Sequence, residues 1–217
     1  MQGSPAGARC DRRAEKHLER RFIMSRKIIT INRMYGSNGR KIGKLLADAL
    51  NIHFYDKELI RIASEQKGIP YEELLKVDEK RASQWRYPVE SEIQMQPQYH
   101  FYPMNDVLFA TQSEIITELA KREDCVIVGR CANHILGDRC RSVFIFAPFD
   151  VRVKNIEERL GRSNKSARSL VKKMDKERRI YYEYFTDCKW TDMTQYDLCI
   201  DSSRFTLEEI VAMLKNL

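Results

Sequence analysis

Between Lys27 and Leu50 the chain reads KIITINRMYGSNGRKIGKLLADAL. Two glycines, Gly36 and Gly39, follow a β-branched run, and Arg40, Lys41 and Lys44 follow the glycines. A strand, a glycine turn and a helix in that order aim backbone N–H groups at an anion. The positive end of a helix prefers acids, so cations gathered in its first turn make sense if a phosphate sits there. The same residues also fit an ordinary strand-to-helix turn with a solvated basic face, and this stretch alone leaves both readings open.

Two further charged residues stand where chemistry is expected. Asp56 follows the short run Asn51–Tyr55, and Arg130 follows the apolar run Cys125–Val128. Both are at the carboxyl ends of strands, where open α/β sheets bind ligands. A third feature is the basic stretch from Arg152 to Arg179. It holds eleven Lys and Arg against four acids, Glu157, Glu158, Asp175 and Glu177, and the difference equals the whole net charge of +7. A nucleic-acid surface, a lid that closes over phosphates and a solvated helix pair all fit such a run.

The elements that must position these groups alternate in kind. Ile42, Leu45, Leu46, Ala49 and Leu50 follow the spacing of one buried helix face. A helix is expected over Lys57–Lys67, ended by Gly68, and another from Pro70 through about Arg81. Residues 83–105 break the pattern, with Pro88, Pro97 and Pro103 among Trp85, Tyr87, Tyr99, Phe101 and Tyr102. That is an inserted segment packing over something, its aromatics either stacking a base or forming a small core. Helical spacing returns over 106–122. Cys125–Val128 is a strand buried on both faces, and Ser142–Ala147 is a fourth strand. Helices follow from Pro148 to Gly161 and from Lys165 to about Phe185, then a fifth strand, Tyr196–Ile200. Thr206 with Glu209 forms a capping box for a last helix. Strands alternating with helices, and no hairpin signal between them, give a five-stranded parallel sheet flanked by helices.

At 217 residues this is one domain with a sizeable insertion. Residues 1–23 read as a disordered or weakly helical, dispensable extension, with Met24 a candidate start. No run of about 18 apolar residues exists, so no membrane span is expected. The six cysteines form no CxxC pair or Cys/His cluster, which suits a reducing cytoplasm. His53 reads as a surface or packing residue, and His134 as surface or lining the Arg130 site.

The stretches ITINRMYGSNGRKIG, FYDKELI, VIVGRCANHIL, MDKERRIYYEYF and YDLCIDSSR resemble the P-loop nucleoside monophosphate kinases, most of all the bacterial cytidylate kinase-like group. They run in the expected order and cover nearly all of the chain past Met24. The resemblance implies ATP and Mg²⁺, nucleotide substrates, no nucleic-acid partner and a cytoplasmic enzyme. Tyr35, Gly36, Ser37, Asn38, Gly39 and Arg40 correspond to the loop that holds the donor's phosphates. Asp56, Gly129 and Arg130 correspond to the acceptor site. Residues 57–124 correspond to the acceptor-binding insertion and 152–190 to the lid and its flanks, with Arg159, Arg162, Arg178 and Arg179 meeting the transferring phosphoryl group.

The loop departs from GxxxxGK[ST]. Aligned on strand and helix, Arg33 falls on the first glycine, Gly39 on the lysine and Arg40 on the hydroxyl residue. Arg40 or Lys41 is then the expected substitute charge, and Ser37 the candidate metal ligand. Where cytidylate kinases place an aspartate after Gly-Arg, this chain has Cys131. Three functions follow: a nucleoside monophosphate kinase with CMP or dCMP as first acceptor, a kinase of another small acceptor, or a non-catalytic nucleotide or phosphate sensor. Catalysis would rest on Arg40, Lys41, Arg130, Arg162 and Arg178.

Overall fold

The computed structural model describes residues 26–78 and 104–217. Strand β1 (Ile28–Arg33) leads into helix α1 (Gly39–Leu50), then β2 (His53–Tyr55), α2 (Glu58–Lys67) and α3 (Tyr71–Val77). Helix α4 (Met104–Arg122) precedes β3 (Cys125–Val128), α5 (Ala132–Leu136) and β4 (Arg141–Phe146). A helical hairpin, α6 (Phe149–Leu160) and α7 (Asn164–Thr186), is followed by β5 (Leu198–Asp201) and α8 (Leu207–Lys215). The N-terminal extension, Met24 and the aromatic run from Trp85 to Tyr102 lie outside the described residues.

All strand pairings are parallel, in the order β2-β3-β1-β4-β5. The five-stranded sheet expected from the alternation is therefore present. Side chains alternate across it. Ile29, Ile31, Val126, Val128, Val143 and Ile145 face α1 and α8, packing on Ile42, Leu46, Ile210 and Leu214. Ile28, Cys125 and Ile127 face the other way, onto Leu59, Ile60 and Ile116 of α2 and α4. Burying each of these branched residues contributes roughly 2 kcal/mol.

Chain connections diverge at β1 and β4. From β1 the chain crosses toward β2, and from β4 it crosses toward β5. The crevice at the carboxyl ends of two such strands is where this kind of sheet binds ligands. Helix α8 opens with the expected capping box, Thr206 and Glu209. α6 ends at Gly161, whose φ of 61° suits glycine.

Candidate active site

The turn between β1 and α1 stands in that crevice. Gly36 has φ +84° because α6 lies against it: a Cβ there would come within 2.6 Å of the Arg152 carbonyl oxygen. Asn38, at φ 60°, starts α1, whose first turn holds no acid. The N–H groups of a first helical turn have no partner within the helix. Donors of this kind can meet an anion.

Ser37 turns the other way. It is fully buried. Its hydroxyl lies 2.8 Å from the Met34 carbonyl oxygen and 3.1 Å from that of Ile145, sharing its single proton between them. The Ser37 hydroxyl, expected as a candidate metal ligand, fastens the loop to β4 here. Arg40, expected as a substitute for the loop lysine, is directed toward β2. Its Nε donates to Asp56 Oδ2 at 2.5 Å, and its guanidinium lies 5.8 Å from the Phe54 ring centre, toward β2. Lys41 is exposed on the next position.

Asp56 and Arg130 meet. Arg130 Nη1 donates to Asp56 Oδ1 at 3.2 Å and Nη2 to Asp78 Oδ2 at 2.9 Å, with the arginine side chain only 1% exposed. A buried guanidinium needs such partners, since an isolated charge would cost several kcal/mol. The backbone beneath is strained: Gly129, Arg130 and Cys131 all have positive φ, of 79°, 53° and 55°. Each non-glycine residue there costs roughly 1–2 kcal/mol.

The hairpin α6–α7 is latched to the loop. Arg152 donates from Nε to the Ala147 carbonyl oxygen at 2.9 Å and from Nη1 to that of Tyr35 at 3.1 Å. It also pairs with Asp175. Asn155 Nδ2 donates to the Gly36 carbonyl oxygen at 2.8 Å, and the Tyr35 N–H donates to Asp175 Oδ1 at 2.7 Å. Arg178 Nη1 donates to the Arg33 carbonyl oxygen at 3.2 Å. The guanidinium groups of Arg159 and Arg178 lie 5.4 and 5.3 Å from the Tyr35 ring centre, within cation–π reach.

A small pocket opens where these parts converge. Asn32 and Arg33 of β1, Arg130 and Cys131 after β3, Arg178, Tyr181 and Tyr182 of α7, and Trp190 line it. Its floor is neutral. Asn32 donates to Asn133 Oδ1 at 2.9 Å, Asn133 donates to the Tyr182 hydroxyl oxygen at 2.9 Å, and Tyr196 donates to the Trp190 carbonyl oxygen at 2.7 Å. Burial pushes the Tyr182 and Tyr196 phenols above their ordinary range, so both stay uncharged. Three permanently charged residues, Arg33, Arg130 and Arg178, line this cavity of about 10 Å³, and guanidinium groups suit phosphate oxygens.

Of the lid arginines expected at the transfer site, Arg178 is in this pocket and Arg159 is beside the loop. Arg179 is exposed, and Arg162 is at the hairpin tip, with Nη1 3.1 Å from Ser166 Oγ. About four turns of α7 separate Arg162 from Arg178, roughly 20 Å. His53 is exposed and bonds Glu58, and His134 is exposed and not part of the pocket wall. Arg33, Arg152, Asn155 and Asp175 were not named as site residues from sequence. Arg33 had a signal: it is a charge at a strand's carboxyl end, like Asp56 and Arg130.

Among the described residues, no three His, Cys, Asp or Glu side chains gather as a metal site. Asp56 and Asp175 already hold guanidinium groups. The Ser37 hydroxyl is engaged as well. No helix among the described residues is long and apolar enough to cross a membrane.

Known proteins share this plan. A model of the cytidylate kinase-like family matches residues 28–204. A cytidylate kinase of Methanopyrus kandleri is 25% identical over 199 residues, covering 87% of this chain and 91% of its own. One from Methanococcoides burtonii is 25% identical over 189 residues, covering 87% and 94%. Among solved structures, an uncharacterised protein from Eubacterium ventriosum has a TM-score of 0.66 and 29% identity, over 88% of this chain and 97% of that one. A shikimate kinase from Bacteroides thetaiotaomicron has a TM-score of 0.52 at 17% identity, over 88% and 96%, a likeness of fold.

Proposed function

This chain belongs to the cytidylate kinase-like family, and from that premise we propose that it transfers the γ-phosphoryl group of ATP to a nucleoside monophosphate, with CMP or dCMP the first acceptor. The observation that carries this reading is the convergence of Arg33, Arg130 and Arg178 on one pocket beside the glycine loop. Three arginines around a neutral floor fit a group that brings several anionic oxygens at once.

In the step itself, an oxygen of the acceptor's phosphate forms a bond to the γ-phosphorus. The bond from that phosphorus to the β–γ bridging oxygen breaks, and ADP leaves with the electron pair. The attacking oxygen is already anionic, so no general base is needed. Positioning and charge neutralisation do the work. The first turn of α1 takes the donor's phosphates on its N–H groups. Arg130, held by Asp56 and Asp78, orients the acceptor's phosphate with its bidentate fork. Arg178 lies between the two, on the helix that is latched to the loop. Closure of the hairpin tip would bring Arg162 inward and exclude water.

A second reading has an observation in its favour. The loop lacks both the standard lysine and a hydroxyl free to meet a metal, which suits a protein that senses nucleotide or phosphate without turning it over. ADP release, measured across the common nucleoside monophosphates with and without Mg²⁺, decides between them. Turnover with one acceptor supports the kinase. ATP binding without turnover on any acceptor supports the sensor.

A further inference from the structure

Residues 33 and 39 compete for one space. In the standard loop the first position is glycine and the seventh is a lysine whose ammonium meets the β- and γ-phosphates. Here the two are exchanged: Arg33 holds the first position and Gly39 the seventh. A Cβ on Gly39 would stand 2.5 Å from the Cβ of Arg33 and 3.2 Å from its Cγ. Only one of these positions can carry a long side chain. The glycine where the lysine is expected is thus the counterpart of the arginine where the glycine is expected.

Arg159 and Arg178 stand over the Tyr35 ring of the loop. Arg40 is on Asp56, Lys41 is exposed, and Arg152 is held by Asp175 and by the carbonyls of Ala147 and Tyr35. Arg33 is 7% exposed and is one of the residues lining the pocket, with Arg130 and Arg178. Its stem starts against Gly39, at the foot of the loop.

We propose that Arg33 is the catalytic cation of this loop and does the work of the missing lysine from the strand side. The assignment rests on the phosphoryl-transfer reading. As the γ-phosphorus leaves the bridging oxygen, negative charge collects on the ADP side of the breaking bond, and the Arg33 guanidinium meets it there. A guanidinium can bind two phosphate oxygens at once where an ammonium is a point charge.

The test uses Arg33→Met, Arg33→Lys, Arg33→Gly and the exchange variant Arg33→Gly/Gly39→Lys in the full chain. Thermal melts come first, then calorimetric affinity for tripolyphosphate and for ATP, then turnover with the best monophosphate. Arg33→Met keeps a stem against Gly39 and should weaken tripolyphosphate binding by about tenfold and lower kcat by about 100-fold. Arg33→Lys should recover part of both. The exchange variant should bind tripolyphosphate better than Arg33→Gly alone, a rescue that a merely structural arginine would not give. Wild-type tripolyphosphate affinity in folded Arg33→Met overturns the assignment. If that variant does not fold, an exchange variant that binds no better than Arg33→Gly overturns it instead. A wild type without turnover on any monophosphate would sink the kinase reading, and tripolyphosphate affinity would still decide the role of Arg33.

Discussion

The carboxylate of Asp175 accepts the backbone N–H of Tyr35 at 2.7 Å, across 140 residues of chain. Its second oxygen takes Arg152. One acid in a strongly basic helix thus fixes both the loop and the root of the hairpin. Removing it leaves an arginine that is 6% exposed without its counter-charge. Asp175→Ala should cost about 1–3 kcal/mol in urea unfolding and weaken ATP binding. Asp175→Asn, which still accepts from the N–H, should lose less stability. Equal stability in all three proteins would show that the latch is idle.

Gly39 gives a prediction of opposite character to the one its loop position suggests. From sequence, a bulky residue there would fill the phosphate's space and leave the fold intact. The geometry points the missing Cβ at Arg33 and Ile145 instead. Gly39→Val should therefore destabilise the fold by about 1–3 kcal/mol, visible as a lower denaturation midpoint, before any effect on nucleotide is measured. A Gly39→Val protein that melts like wild type yet binds no ATP would reverse this conclusion.

Arg130 bridges two carboxylates that a lysine cannot reach together. Arg130→Lys should lower stability and also raise the acceptor's apparent KM by about tenfold or more, with ATP affinity unchanged. A melting shift alone, with normal kinetics, would assign Arg130 to the fold and remove it from the acceptor site.

The hairpin arginines should differ in effect. Arg178 is already in the pocket, so Arg178→Ala should reduce turnover much more than it weakens ATP binding. Arg162→Ala should do so only to the extent that the tip closes. Arg162 and Lys165 are exposed around the α6–α7 turn, and trypsin should cut between Gly161 and Ala167 in the free protein. Two nucleosides joined by five phosphates should protect that turn better than ATP does. A tip that resists trypsin when empty would mean that no closing lid exists.

Alkaline pH should find the core at Cys125. Burial raises its thiol from 9.0 to about 12, with Glu123 and Asp124 adding to the shift. An acid whose pKa is higher in the folded state stabilises fully below its unfolded value. That contribution is lost as pH rises toward the folded value, because the unfolded chain ionises first. Urea midpoints should thus fall from about pH 9 upward, and Cys125→Ala should flatten the early part of the fall. A Cys125→Ala profile that tracks wild type would assign the loss to other groups, such as the buried phenol of Tyr196.

Local pattern accounts for what was legible. The β-branched and apolar runs at Ile28, Cys125 and Ser142 are strands because each is buried on both faces, and buried parallel strands announce themselves by continuity. Asp56 and Arg130 were visible because a charge directly after such a run has few other reasons to be there. The destinations of Ser37, Arg40 and Asp175 were not visible. Each is decided by a partner far along the chain: Ile145, Asp56 and Tyr35. Spacing within a helix cannot reveal a bond made across 140 residues. What a side chain at Gly39 would meet was hidden for the same reason, since its neighbour is fixed by how α1 lies on β1.

The position of β1 at the centre of the sheet has a consequence for how the chain comes together. It is the first strand among the described residues, yet its two edges wait for residues 125–128 and 141–145. Nearly all of its hydrogen bonds are long-range, which slows folding because loop closure is entropically costly before pairing rewards it. During synthesis, Ile28 to Arg33 remain an apolar segment with both hydrogen-bonding edges open until most of the chain has emerged. Fragments ending before β4 should bind chaperones or aggregate through that segment.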